Sequence, residues 1–93
     1  MICIDSKFPL ENYNRLMSAD TAQEKARAHA QFVQDVKRHI RAIASKYILP
    51  QETAEFACMF LPAEAVFSYI YASCDEVVRY SYEEKVYMSH RRH

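Results

Sequence analysis

The 93-residue chain contains no glycine. At an average usage near 7%, about six would be expected. The absence excludes two phosphate-binding devices. A Walker loop and a GxGxxG dinucleotide turn both bring backbone up to phosphate where no Cβ fits. Cysteine is sparse and oddly placed. Cys3, Cys58 and Cys74 stand far apart with no CxxC, so spacing suggests neither a zinc site nor a redox pair. Two of the three sit in apolar runs and read as small buried hydrophobes. Reduced thiols fit a cytosol, which places the protein in the cytoplasm. No stretch reads as a signal peptide, and no apolar run approaches ~18 residues, so no membrane segment is expected. Charge of one sign is also missing in excess: 12 basic residues balance 12 acidic ones. Only the local distribution of charge can therefore argue for a polyanionic partner.

What is present suits one small folded domain. The chain is 51% apolar and 26% charged, the balance of a folded rather than a disordered protein. Residues 2–5 read as a short strand. Pro9 sits where a first helical turn tolerates its missing N–H, and Leu10, Tyr13, Leu16 and Met17 recur at helical spacing, predicting a helix over 9–17. Thr21 and Glu24 have the form of a capping box. Behind them Ala28, Phe32, Val36, Ile40, Ile43 and Tyr47 recur every three or four residues, with Val33 and Ala44 widening the stripe. This pattern predicts one amphipathic helix over 21–47, stopped by Pro50. Gln51 to Ala54 read as a turn. The run Phe56 to Leu61 is short and continuously apolar, as in a strand buried on both faces of a parallel sheet. Pro62 opens another helix with Glu64 in its first turn. Ser73 and Glu76 form a second apparent capping box, predicting a helix to about Lys85. Val86 to Met88 read as a third strand. The result is an α/β chain of order β-α-α-β-α-α-β with mainly parallel strands and right-handed crossovers. Residues 90–93 read as a basic tail without an element of its own.

Three features carry chemistry. The first is Asp5-Ser6-Lys7, where an apolar strand ends in an acid, a hydroxyl and a base. Side chains alternate along a strand, so Asp5 and Lys7 share a face with Cβ atoms ~7 Å apart. A carboxylate there suits a hard cation such as Mg²⁺, and an ammonium one pleat on suits a water or developing charge on phosphate. The ordinary alternative is a polar turn, with Asp5 accepting backbone N–H bonds and Lys7 solvated. The second is the basic half of the long helix. Lys37, Arg38, Arg41 and Lys46 could contact DNA phosphates without base specificity, Lys37 and Arg41 sharing a face. They could equally complement the helix C-terminus as a solvated face, with Asp35 the one acid nearby in sequence. The third is Glu64, which reads either as an acid suited to a helix N-terminus or as a metal-site carboxylate. The seven tyrosines read as core-edge residues rather than as a base-stacking platform. The histidines fall on a helix exterior or in the tail.

Four stretches resemble the RmuC family of bacterial proteins named for DNA recombination. They are IDSKFPLENY at 4–13, DVKRHIRAIASKYI at 35–48, EFACMFLPAEAVF at 55–67 and YSYEEKVYMS at 80–89. They occur in the family's order, and the resemblance runs from Ile2 to about Ser89, which makes residues 1–89 a partial domain of this kind. The resemblance implies a restriction-endonuclease-like, PD-(D/E)xK core and Mg²⁺- or Mn²⁺-dependent cutting of DNA. It makes Asp5 a candidate metal ligand and Lys7 a candidate catalytic lysine, and it aligns Glu64 with an acid the family carries after its second apolar strand. The family pattern also needs an earlier acid on a preceding strand, and it continues past Ser89 into further helices. The expectation is a fragment of the domain with absent or very weak catalysis. A non-catalytic DNA-binding or scaffold role through the basic helix is the alternative, and a non-functional remnant a further one. An unpaired sheet edge implies self-association. No small-molecule cofactor is expected.

Overall fold

A computed structural model describes residues 2–4, 7–48 and 55–90. The longest element, α2 (Ala22–Tyr47), follows directly from its sequence pattern. Phe32, Val36 and Ile40 are wholly buried, with Ala28, Val33, Ile43 and Ala44 beside them. At 1.5 Å per residue the helix is about 39 Å long, most of the molecule's 46 Å long axis. Thr21 caps it, its Oγ1 accepting from the Glu24 N–H at 3.1 Å. The return bond of the box goes one residue upstream, where Glu24 Oε2 accepts from the Asp20 N–H at 3.3 Å. The helix ends at Tyr47 with the Ile48 N–H on the Ala44 carbonyl. Pro50 and residues 51–54, for which a turn is predicted, lie outside the described residues.

The other elements are β1 (Ile2–Ile4), α1 (Glu11–Ser18), β2 (Ala57–Phe60), α3 (Glu64–Ser73), α4 (Asp75–Glu84) and β3 (Val86–Ser89). The three strands form a parallel sheet of order β1-β2-β3. Ile4, Met59 and Met88 stand in register across it. The order of elements and the parallel pairing are those the sequence predicts.

One face of this sheet, through Ile4, Ala57, Met59, Val86 and Met88, joins a single apolar cluster with Val36 and Ile40 of α2, Val66 and Ile70 of α3 and Val77 of α4. Cys3, Cys58, Phe60, Tyr87 and Ser89 alternate onto the opposite face. None of them belongs to that cluster. The helices thus cover one side. Cys58 and Cys74 are buried, as small hydrophobes should be, but Cys3 is exposed despite its apolar neighbours.

Several local expectations are corrected. Helix α1 begins at Glu11, with Leu10 rather than Pro9 at its threshold and no side-chain cap. Ser73 does not cap α4; it is the last residue of α3. A single residue, Cys74 (φ −126°, ψ 58°), closes α3 and opens α4. The expected partner, Glu76, is engaged with Lys37 instead. Helix α4 ends on Lys85 in the left-handed region (φ 62°, ψ 34°), a position glycine normally takes. Strand β3 runs one residue past its predicted end, to Ser89, and His90, read as part of the tail, packs edge-on against Phe67 at 4.7 Å. Residues 91–93 lie outside the described residues.

Candidate functional site

In open parallel sheets, polar groups collect beyond the carboxyl ends of the strands, where the chain turns into the next helix. Here β1 leads toward Asp5, Ser6 and Lys7, β2 leads through Leu61 and Pro62 to Glu64, and β3 leads to His90. Asp5 and Ser6 lie outside the described residues. Lys7 is exposed and stands beyond the last strand residue described, so strand alternation does not position it. It is anchored by its neighbour. Phe8 is 8% exposed, its ring edge-on to Phe32 (6.3 Å) and His39 (5.8 Å) of α2.

Glu64 is the first residue of α3, exposed and in the first turn, where the helix dipole favours a carboxylate. The preceding Leu61 is fully buried and its N–H donates to the Ser89 carbonyl at 2.6 Å, so the β2 exit is tied to β3. Lys7 and Glu64 therefore follow the same edge of two hydrogen-bonded parallel strands. Neither forms an ion pair among the described residues. Also among the described residues, no three His, Cys, Asp or Glu side chains converge as a metal-binding set. The described donors alone do not fit a hard cation, which takes six or more oxygens.

The basic half of α2 is arranged otherwise than its sequence neighbourhood suggests. Asp35 is not the only acid near it. Lys37 pairs with Glu76, and Arg41 donates to Glu84 Oε1 at 2.7 Å, both acids coming from α4. Hydrogen bonding to Lys37 and its charge hold the Glu76 carboxyl below its usual range. The same two effects from Glu84 raise the Arg41 guanidinium. Arg38 is 73% exposed at its side chain and pairs with Asp35 at 3.3 Å. Asp35 also accepts from Asn12 of α1 at 2.7 Å. Lys46 lies over the Tyr47 ring at 5.4 Å.

Two histidines leave the helix exterior assigned to them. His39 is half-buried beside Phe8, and burial lowers its pKa. His29 Nδ1 shares a 2.6 Å hydrogen bond with the Tyr69 hydroxyl, joining α2 to α3. Burial pushes the Tyr69 phenol up. The helical pattern set both outside the apolar stripe, because it does not show which neighbour from another element each meets.

A three-stranded parallel sheet, helices on one face and acid and base residues at the strand exits define a parallel α/β protein with its candidate site at the carboxyl edge. The chain belongs to the RmuC family, whose family model matches residues 1–91. It is 37% identical over 68 residues to the DNA recombination protein RmuC homolog of Xylella fastidiosa strain Temecula1 / ATCC 700964, and equally to that of strain 9a5c. The matched stretch covers 70% of this chain and 15% of each relative. No solved structure matches it. Among the described residues, no helix is long and apolar enough to cross a membrane.

Proposed function

We propose that this chain contributes to a Mg²⁺- or Mn²⁺-dependent centre that cuts DNA phosphodiesters in the cytoplasm. Asp5 is assigned as a metal ligand, Lys7 as the group that positions the attacking water, and Glu64 as a further ligand or its support. One observation carries the reading: Lys7 and Glu64 emerge from the same edge of two adjacent parallel strands. The chain alone cuts weakly or not at all, because one strand carboxylate rarely fixes Mg²⁺ without a second. The test incubates supercoiled DNA with the 93-residue chain over a Mg²⁺ and Mn²⁺ titration. Negligible nicking, with weak metal binding that Asp5→Ala abolishes, is expected. Metal binding that persists in Asp5→Ala would remove the aspartate from the site.

A second reading is DNA binding without cutting, through Lys37, Arg38, Arg41 and Lys46. The exposure of Arg38 and Lys46 favours it. Affinity that falls steeply with salt and ignores Asp5→Ala supports it. In both readings the β1 edge, paired only to β2 among the described residues, is a surface for self-association of the isolated chain.

A further inference from the structure

Cys3 and Cys58 are far apart in sequence and direct partners in the sheet, Cα opposite Cα on neighbouring parallel strands. Residues paired in register place their side chains on one face. That face is the one outside the helix-covered cluster. Adjacent strands lie about 4.8 Å apart, inside the roughly 4.4–6.8 Å Cα separation that disulfides require. The two thiols differ in access: Cys3 is exposed, whereas Cys58 is 7% exposed beneath its neighbours. The third cysteine, Cys74, is 2% exposed and belongs to the apolar cluster on the sheet's other side.

We propose that Cys3 and Cys58 form a reversible thiol–disulfide site, oxidised by low-molecular-weight disulfides such as glutathione disulfide. The Cys3 thiolate attacks one sulfur of the oxidant, its S–S bond breaks, and one thiolate leaves. This gives a mixed disulfide on Cys3. The Cys58 thiolate then attacks the Cys3 sulfur and expels the second small thiolate. The protein loses two electrons and two protons, and the oxidant is released as two thiols. Burial and the adjoining Cys3 thiol raise the Cys58 pKa, against an opposing hydrogen bond with Ser89. The second step therefore accelerates as pH rises, because a larger share of Cys58 is then thiolate. The bond ties β1 to β2 and needs no assumption about cleavage of DNA.

Sequence spacing conceals this pair because strand register, not a CxxC turn, brings the sulfurs together. The test treats the 93-residue chain with glutathione disulfide, blocks remaining thiols, and reads intact mass and the peptide map. Wild type is expected to lose two hydrogens and yield one peptide linking Cys3 to Cys58, reversed by dithiothreitol, while the protein stays monomeric on a non-reducing gel. Cys58→Ser is expected to stop at one glutathione adduct on Cys3. Cys3→Ser is expected to acquire none while folded. Circular dichroism of both variants checks that they fold, and the wild-type map stands without them. A stable adduct on wild-type Cys3 with no internal link, a Cys3–Cys3 dimer, or linkage to Cys74 would overturn the proposal.

Discussion

Glu84 of α4 accepts a hydrogen bond from Arg41 of α2 at 2.7 Å, one turn of α2 along from the Lys37–Glu76 pair. The two contacts join helices distant in sequence and occupy the cations best placed for a phosphate backbone.

Neutralising those acids should liberate the cations. In Glu76→Gln/Glu84→Gln, DNA affinity is expected to rise at low salt. The slope of log affinity against log salt is expected to steepen by about 0.9 for each phosphate gained, so by up to about 2. Fluorescence anisotropy across a salt series measures it. An unchanged slope would exclude Lys37 and Arg41 from the DNA contact.

Acid should destabilise the fold in two stages. His39 has its pKa lowered from an ordinary 6.5 by burial, so the unfolded chain takes up its proton first. Stability is then full above that value and declines as pH falls through it. Glu76, lowered from an ordinary 4.5, contributes stability above that value and loses it as pH falls further, through its folded pKa. Melting temperatures from neutral pH downward are expected to show both declines. His39→Leu should remove the first and leave the second.

Lys85 occupies the left-handed region without a glycine's freedom. That conformation costs an ordinary residue about 1–2 kcal/mol, partly offset because glycine loses about 0.5–1 kcal/mol more on ordering. Lys85→Gly is expected to stabilise the chain by up to about 1 kcal/mol in urea unfolding. Lys85→Val should destabilise it, since a β-branched side chain tolerates this region worst.

The two sequence-predicted capping boxes should behave differently. Thr21→Ala removes the acceptor for the Glu24 N–H and is expected to cost about 1 kcal/mol. Ser73→Ala is expected to change stability by less than about 0.5 kcal/mol, because Ser73 is exposed and caps nothing. Chemical denaturation of the two variants side by side distinguishes them.

The contrast between those threonine and serine positions shows where sequence was informative. The α2 stripe was legible because one-sided burial imposes a period of 3.6 on a helix, and the FACMFL run because burial of a short strand on both faces leaves it continuously apolar. The parallel order followed from alternating strands and helices. The Ser73 cap failed because only three-dimensional packing shows that α3 persists to Ser73 and that Glu76 meets Lys37. The Cys3–Cys58 pairing depends on strand register, which the long crossover does not encode at any one position. His39 read as exterior because its burial comes from Phe8, well outside its own helix. For the candidate site, sequence named Lys7 and Glu64; the fold added that they leave one edge of the sheet together. The assigned partner, Asp5, lies outside the described residues.

The lone Cys74 between α3 and α4 leaves no slack in that elbow. Each helical residue advances the rotation by about 100°, so one inserted residue would turn the whole of α4 by more than a quarter revolution. Glu76 and Glu84 would swing off Lys37 and Arg41, and Val77 would leave the interior. The bend thus works as a phasing element: its length alone decides which side of α4 looks toward its neighbour.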